Sequence, residues 1–331
     1  MHKDLINNVF QTFPNLNALV IGDVMIDAYL FGHVDRISPE APVPVVSVNG
    51  KENRLGGAAN VALNIKALGA NPILCCVVGD DKNADIFKSL LTENNLPTEG
   101  VFIDKSRPTT VKTRVISQQQ QMLRIDEEDS SNLSPKSTKE VTKQILSLLD
   151  TKKIDVVIFE DYDKGLLTPE LIEQVIEKAN QLNIPITVDP KKRNFTTYKN
   201  VTLFKPNLKE LKEGLNIQVN PANSESLKTG INQLQNTINC KNALVTLSEY
   251  GMYITNGNTH EIIPAHIRNI TDVSGAGDTV ISVASLSLAA GTDAVFATKL
   301  ANLAGGLVCE KVGVVPINGK QLKAEAIRLS L

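Results

Sequence analysis

The sequence has little cysteine, no tryptophan, no surplus of either charge and no apolar run long enough to cross a membrane. The four cysteines show no C-x-x-C spacing, so we expect no zinc or redox motif and a cytoplasmic protein. Four histidines without metal-ligand spacing argue against a caged transition metal. With 34 basic and 36 acidic residues, the chain lacks the positive surplus typical of nucleic-acid binding.

Apolar runs of strand length alternate along the chain with segments of helical periodicity. Near-continuous apolar strands between helices predict an α/β fold with a mostly parallel sheet covered on both faces, hence a three-layer α/β/α arrangement. Strands are predicted at 17–22, 73–79, 154–159, 185–189, 201–204 and 243–247, and helices at 58–68, 84–94, 136–149, 169–182, 208–214, 225–238, 279–290 and 294–311.

Two segments, 28–53 and 101–126, interrupt this alternation because they have β-like sequence and no helix to cover them. We expect them to form a small separate β-sheet, a lid over the large sheet. The glutamine tract 118–121 is interpreted as a polar turn between lid strands. The whole chain, 1–331, is therefore predicted to be one domain with a lid.

The most informative stretch is Asp272–Asp278, in which two glycines and an alanine precede a helix. Unpaired amides at a helix start, together with the helix dipole, attract an anion. A carboxylate such as Asp278 is unfavourable beside an anion unless it takes a proton from an incoming hydroxyl, as phosphoryl transfer to an alcohol requires. Alternatively, Asp278 is only a first-turn acid that the dipole favours.

Two further groups lie where ligands bind in α/β sheets, at the carboxyl ends of strands. Asp23 and Asp27 leave the first strand, and carboxylates there can fix sugar hydroxyls; capping or turn chemistry is the alternative. Gly56, Gly57 and Asn60 open a helix, so a sugar or a phosphate can approach the bare backbone closely. Tight helix–sheet packing explains the glycines nearly as well.

Later strand ends carry residues suited to phosphates. Lys191 can hold a substrate phosphate, or it lies in a solvated loop. Asn207 and Glu210 can order water around magnesium, form a capping box, or do both. The 246–251 segment, with Thr246, Ser248 and Gly251, suits nucleotide phosphates, although a hairpin turn is also compatible.

With these residues placed, the chain resembles the ribokinase-like (PfkB) sugar kinases over essentially its whole length. Within that family the likeness is greatest to kinases that phosphorylate O1 of D-glycero-β-D-manno-heptose 7-phosphate, a step toward ADP-heptose and the lipopolysaccharide core. The stretch 36–45 is the most specific, since generic sugar kinases do not usually carry it. The matching stretches are 36–45, 56–60, 161–165, 189–191, 246–251 and 272–278.

The resemblance implies ATP as donor, Mg²⁺ as cofactor, and a homodimer through the lid strands. Asp278 would be the catalytic base, with an anion hole from the Gly275, Ala276 and Gly277 amides. The heptose pocket would involve Asp23, Asp27, Gly57, Asn60 and Lys191. The nucleotide and magnesium side would involve Asn207, Glu210, Thr246, Ser248, Gly251, Asn302 and Gly313.

The chain also departs from many relatives, in which a nucleotidyltransferase domain with a His-x-Gly-His motif follows the kinase. No such motif occurs before Leu331. We therefore expect this chain to make only the bisphosphate and a separate adenylyltransferase to act afterwards. Two other functions stay open: a kinase of fructose 1- or 6-phosphate, and a sugar or nucleotide sensor without catalysis.

Overall fold

A computed structural model describes residues 2–118, 120–256, 259–266 and 268–331 of the chain. The strands are β1 (Asn17–Gly22), β2 (Val24–Ile37), β3 (Pro44–Gly57), β4 (Asn71–Val78), β5 (Val101–Ile103), β6 (Val111–Ser117), β7 (Gln120–Glu127), β8 (Val156–Glu160), β9 (Ile186–Asp189), β10 (Leu203–Phe204), β11 (Asn242–Thr246), β12 (Met252–Asn256) and β13 (Thr259–Ile263). The helices are α1 (His2–Thr12), α2 (Ala58–Ala67), α3 (Lys82–Glu93), α4 (Pro135–Thr151), α5 (Pro169–Gln181), α6 (Leu208–Leu215), α7 (Ser224–Ile238), α8 (Ala276–Ala289), α9 (Ala294–Cys309) and α10 (Gly319–Arg328).

Within these described ranges, the large sheet has nine strands in the order β13-β12-β11-β10-β9-β8-β1-β4-β5. The seven strands β11, β10, β9, β8, β1, β4 and β5 pair in parallel. At the other edge, β12 and β13 form an antiparallel hairpin. This mostly parallel sheet confirms the predicted fold class. The sequence analysis did not predict the hairpin or the terminal helices α1 and α10.

The β1 strand shows why the sheet is covered on both faces. Its side chains alternate: Ala18 and Val20 belong to one apolar cluster, and Leu19 and Ile21 to another. Helices α1, α2, α3, α8, α9 and α10 pack on the first cluster, and α4 to α7 on the second. Neighbouring residues of a strand point to opposite faces, so a strand buried on both sides is apolar throughout.

The second sheet has four strands in the order β3-β2-β6-β7 and corresponds to the predicted small sheet. It is mixed, because β2 pairs in parallel with β6 while the outer pairs are antiparallel. One boundary was wrong: β5 pairs with β4 at the edge of the large sheet. The contribution of the 101–126 segment to the small sheet therefore begins at Val111. Gln119, in the glutamine tract, lies outside the described residues.

The described part of the chain contains no helix of the length and apolar character that a membrane crossing requires.

Gly57, at the junction of β3 and α2, is conformationally constrained, and its substitution tests that junction. Its φ is +62°, and an added Cβ would lie 2.4 Å from the Asp23 carbonyl oxygen. We expect Gly57→Ala to lower the free energy of unfolding by on the order of 1–3 kcal/mol in urea titrations. Gly291→Ala is the matched control, since φ is +84° there and the Cβ would meet nothing within 4 Å. Equal losses in the two variants would contradict a cost from the close contact.

Candidate active site

The 272–278 loop enters helix α8 with an exposed turn of backbone. Gly275 has left-handed backbone, with φ of 76°, and α8 begins at Ala276. The Ala276 N–H donates to the Val273 carbonyl at 3.2 Å. Among the described residues, the N–H groups of Gly275 and Gly277 have no backbone acceptor. Of the three amides expected to bind an anion, the two glycine amides are therefore the available ones.

Asp278 lies in the first turn of α8 and is buried. Asn60 Nδ2 donates to its Oδ2 at 2.6 Å, and the Tyr162 hydroxyl donates to its Oδ1 at 2.8 Å. Burial raises the pKa of the Asp278 carboxyl, and the nearby charge of Asp189 adds to this rise. The two hydrogen bonds and Lys205 oppose the rise, since they stabilise the ionised form.

A buried amide network orients Asn60 toward Asp278. Asn64 Nδ2 donates to the Asn60 backbone oxygen at 2.9 Å and to the Asn60 side-chain oxygen, Oδ1, at 3.4 Å. In turn, Asn64 Oδ1 accepts from the Ile317 N–H at 2.9 Å and from the Thr279 hydroxyl at 3.2 Å. The network joins α2, α8 and the segment before α10, so Asn60 presents its NH₂ group to the carboxylate.

Charged side chains meet at the carboxyl ends of the central strands. Glu160 ends β8 and lies beside Asp189, which ends β9. Lys205, directly after β10, binds Asp189 Oδ2 at 2.6 Å, and both side chains are buried. Burial acts to lower the Lys205 pKa, but Asp189, Glu210 and Glu160 outweigh it, so the pKa is raised and the side chain stays cationic. This pair lies directly behind the α8 entry, because a Cβ on Gly277 would be 3.6 Å from Asp189.

Lys191 and Glu210 form an ion pair across the site. Lys191 Nζ also lies 5.5 Å from the centre of the Tyr162 ring, within cation–π range. Glu210 additionally completes a capping box with Asn207 at the start of α6, as predicted from their spacing. One carboxylate thus orders the helix entry and holds the lysine.

Asp23 orders the loop that carries Tyr162. Its carboxylate accepts from the backbone N–H groups of Tyr162 and Lys164, both at 3.0 Å, and of Leu166 at 3.1 Å. The pKa of Asp23 is raised because burial outweighs these three bonds. Three of about four acceptor positions are therefore taken by the loop. The sequence analysis gave turn chemistry as the alternative for Asp23, and the turn that Asp23 holds is the distant 162–166 loop.

The small sheet brings a cationic group to the same region. Arg114 Nη1 of β6 binds the buried Asp27 of β2 at 2.6 Å. The guanidinium groups of Arg114 and Arg54 lie 5.4 Å and 4.8 Å from the centre of the Tyr29 ring. The two glycines before α2 leave room beside these acids, since a Cβ on Gly56 would meet the Asp27 carboxylate and one on Gly57 the Asp23 carbonyl oxygen.

A cavity of about 960 Å³ lies next to Asp278, which is one of its lining residues. It is lined by residues from the ends of β8 to β11, from the 272–278 loop and from α9. The predicted site residues that line it are Lys191, Asn207, Glu210, Thr246, Ser248, Gly251, Gly275, Ala276, Gly277, Asp278 and Asn302. Asp278 thus lines the cavity and is also bonded to Asn60, which, like Gly57, Asp27 and Asp23, does not line it.

Gly313 is the exception among the predicted nucleotide residues, because it does not line this cavity. Its N–H donates to Asp272 Oδ2 at 2.9 Å, and a Cβ there would lie 2.8 Å from Arg54. The geometry places it at the rear of the 272–278 loop, beside the small sheet. Its left-handed φ of 76° explains the glycine without a nucleotide.

The site also contains residues that the sequence analysis did not assign to it. Tyr162 was noted only as part of a matching stretch, and Lys205 and Asn64 were not considered. Lys205 directly follows β10, as Asp23 directly follows β1, and Lys191 comes two residues after β9. The position of Lys205 at a strand end could therefore have indicated it. Nothing in the local sequence indicates the bonds of Tyr162 or Asn64.

Among the described residues, no group of three or more His, Cys, Asp and Glu side chains is arranged to hold a metal ion. A hydrated cation such as Mg²⁺, bound mainly through water and phosphate, requires fewer protein ligands than such a group.

Comparison with known proteins identifies the family. Residues 15–319 match the pfkB family carbohydrate kinase. A Bifunctional protein HldE from Citrifermentans bemidjiense is 37% identical over 98% of this chain and 66% of its own length. One from Desulfatibacillum aliphaticivorans is 40% identical over 95% of this chain and 63% of its own length. The chain thus spans slightly less than two thirds of these relatives.

Solved structures agree on the fold. Phosphofructokinase-2 from Escherichia coli in complex with fructose-6-phosphate superposes with a TM-score of 0.76 at 18% identity, covering 94% of this chain and 98% of its own. Arabidopsis thaliana ribokinase complexed with ribose and ATP gives a TM-score of 0.70 at 15% identity, covering 93% and 98%. The architecture is ribokinase-like, and this chain belongs to the pfkB family of carbohydrate kinases, enzymes that transfer a phosphoryl group to a sugar.

Proposed function

We propose that this chain is an ATP-dependent kinase that phosphorylates O1 of D-glycero-β-D-manno-heptose 7-phosphate, in the biosynthesis of ADP-heptose for the lipopolysaccharide core. The HldE relatives support the heptose class, and the matching stretch 36–45 supports it further. The observation that carries the proposal is the position of Asp278. This carboxylate lines a large cavity, and it is fixed by Tyr162 and by Asn60, a residue that does not line the cavity and that is proposed below to bind the sugar.

The donor ATP would lie in the 960 Å³ cavity. Thr246, Ser248 and Gly251, with Asn207, are proposed to contact its phosphates, and Asn302 its base. Lys191 and Lys205 give this end of the cavity cationic groups next to the α8 entry. The Arabidopsis thaliana ribokinase of the same fold was solved with ATP, which supports ATP as the donor.

Mg²⁺ would be held through water by Glu210. This carboxylate lines the cavity, although one of its oxygens caps α6 and the other binds Lys191. Each carboxylate oxygen has a second acceptor position, so both can still accept from a water ligand. When bound, the ion would neutralise charge on the phosphates and orient them.

The acceptor sugar would occupy the opposite side of Asp278. Asn60, Asp27 and Gly57 are proposed to bind it, Asp23 to complete the pocket wall, and Lys191 to approach its phosphate. In the reaction, Asp278 accepts the O1 proton while the oxygen attacks the γ-phosphorus in line; the bond from that phosphorus to the β–γ bridging oxygen breaks, and ADP leaves. The N–H groups of Gly275 and Gly277 stabilise the negative charge on the transferred group.

The small sheet is proposed to mediate a homodimer. Several apolar side chains on its strands and connection are exposed, including Ile37, Val43, Leu123 and Ile125. Burial of such a surface against a second copy would be favourable. We also propose that 1–331 acts as one kinase unit and that adenylylation of its product requires a separate catalytic domain.

A substrate panel tests the proposed function. ADP release would be measured at fixed ATP and Mg²⁺ with the heptose 7-phosphate, fructose 6-phosphate, fructose 1-phosphate and ribose. We expect the highest kcat/KM for the heptose phosphate. Its product should not be a reducing sugar, because the anomeric oxygen O1 carries the phosphate. A preference for a fructose phosphate would overturn the substrate assignment. ATP binding without turnover of any sugar would favour a sensor.

Asp278→Asn tests the base. A positioned base contributes roughly 10²–10⁴-fold, so kcat should fall by about that factor. The fold should persist, because the asparagine oxygen can accept from Asn60 and its NH₂ group can face the Tyr162 hydroxyl. Thermal unfolding checks the fold, and Asp150→Asn, at an exposed site on α4, is the control. Near-normal turnover in the Asp278 variant would remove the base assignment.

The pH profile of kcat/KM provides a second test. Asp278 acts in its ionised form, and its pKa is raised by burial, so activity should be lost as the pH falls through a value above the ordinary aspartate range. Tyr162→Phe removes a bond that lowers this pKa, so the acid limb should move to higher pH. The control is again Asp150→Asn, at the exposed site on α4, which should leave the acid limb unchanged. An unchanged or lowered midpoint in the Tyr162 variant would contradict the assignment.

A further inference from the structure

Glu160 is a buried carboxyl that makes none of the bonds to Asp278 described above. It ends β8, is 1% exposed, and lines the cavity. Its Oε2 is buried and has no hydrogen-bond partner among the described residues. Buried polar atoms are nearly always paired, so one that faces a cavity indicates a partner that enters the cavity.

The groups that face Glu160 bind one another instead. Lys205, after β10, binds Asp189 of β9, and Lys191 binds Glu210 of α6. The Tyr162 hydroxyl, from the loop after β8, donates to Asp278 of α8. Glu160 is thus surrounded by donors that are already engaged and by two further acids.

This environment disfavours a negative charge on Glu160. Burial raises its pKa well above the ordinary value, and Asp189 and Asp278 raise it further. Lys205 and Lys191 act in the opposite direction but do not offset the rise. A neutral carboxyl differs from a carboxylate in having an O–H donor, which requires an acceptor.

The acceptor expected in this part of the cavity is a phosphate oxygen. Glu160, the two lysines, Gly277 and Asp278 line the same end of the cavity. We propose that Glu160 is a phosphate-binding residue that donates a hydrogen bond to the terminal phosphate of the donor nucleotide. This inference rests on the proposed function, since it places the triphosphate in the cavity.

The pH dependence of nucleotide affinity separates this role from its alternative. A neutral donor binds phosphate at low pH and is lost as the pH rises through the Glu160 pKa, because the carboxylate repels the phosphate. An ionised Glu160 that holds a cation would give the opposite sign, with affinity rising with pH. A structural role would give no dependence on the terminal phosphate.

The experiment compares the dissociation constants of Mg²⁺-adenylyl imidodiphosphate and Mg²⁺-ADP by calorimetry between pH 6 and 9. The ratio of the two affinities isolates the terminal phosphate. In the unsubstituted protein, this ratio should decline with rising pH more steeply than in Glu160→Gln. The glutamine keeps a hydrogen-bond donor that does not titrate. Titration of the nucleotide phosphates affects both proteins equally, so it cancels when their profiles are compared. Glu160→Ala should lower the low-pH ratio about tenfold, as loss of a hydrogen bond to a charged acceptor would.

Glu213→Gln, at an exposed site on α6, is the matched control and should follow the unsubstituted protein. The proposal is overturned if Glu160→Gln has the same pH profile as the unsubstituted protein, or if the ratio rises with pH. It is also overturned if a folded Glu160→Ala protein keeps the full ratio. If Glu160→Ala fails to fold, the Glu160→Gln profile still decides. Failure of the proposed function looks different: no affinity for either nucleotide, or turnover of another sugar.

Discussion

The buried carboxylate of Asp278 is the constraint around which the site is arranged. A charge removed from water carries a large free-energy cost unless hydrogen bonds and nearby charges compensate it. Asn60 from α2 and Tyr162 from the loop after β8 supply those bonds. Both donors are themselves fixed. Asn64 bonds to Asn60, and Asp23 holds the loop that carries Tyr162 by accepting from three of its backbone amides. The position of the carboxylate on α8 therefore depends on three other parts of the fold: α2, the loop after β8 and the residue that follows β1.

The parallel sheet concentrates charge because all of its carboxyl ends lie at one edge. Glu160, Asp189 and Lys205 come from three neighbouring strands, and Asp278 faces them from α8. Asp189 and Asp278 raise the pKa of Glu160, and Asp189 raises the pKa of Asp278, while Lys205 limits both rises. Such tuning is typical of catalytic sites, where proton transfer requires pKa values displaced from those in water. The same edge can then receive the phosphates of a nucleotide and hold a base that is not solvated.

Much of the fold followed from hydrophobic periodicity. Continuous apolar runs such as 17–22 predicted buried strands, and the two segments without helices predicted a second sheet. The errors arose where local sequence is ambiguous: Val101–Ile103 is too short to reveal which sheet it joins. The site residues came from glycine and acid positions at strand ends. Gly313 was named from the family resemblance instead, and it does not line the cavity; its left-handed backbone requires a glycine with or without a ligand.

By itself, the sequence determined the alternation of strands and helices, the Asn207–Glu210 cap and the glycine-rich entry to α8. These depend on residues within a few positions of one another, where backbone propensity and side-chain reach suffice. Only the tertiary structure decided which polar groups meet. Asn60 and Tyr162 bond to Asp278 although they are 218 and 116 residues away from it in the sequence. Lys205 forms its ion pair with Asp189, not with Glu160. Strand register and helix packing set such distances, and neither is encoded in a local pattern.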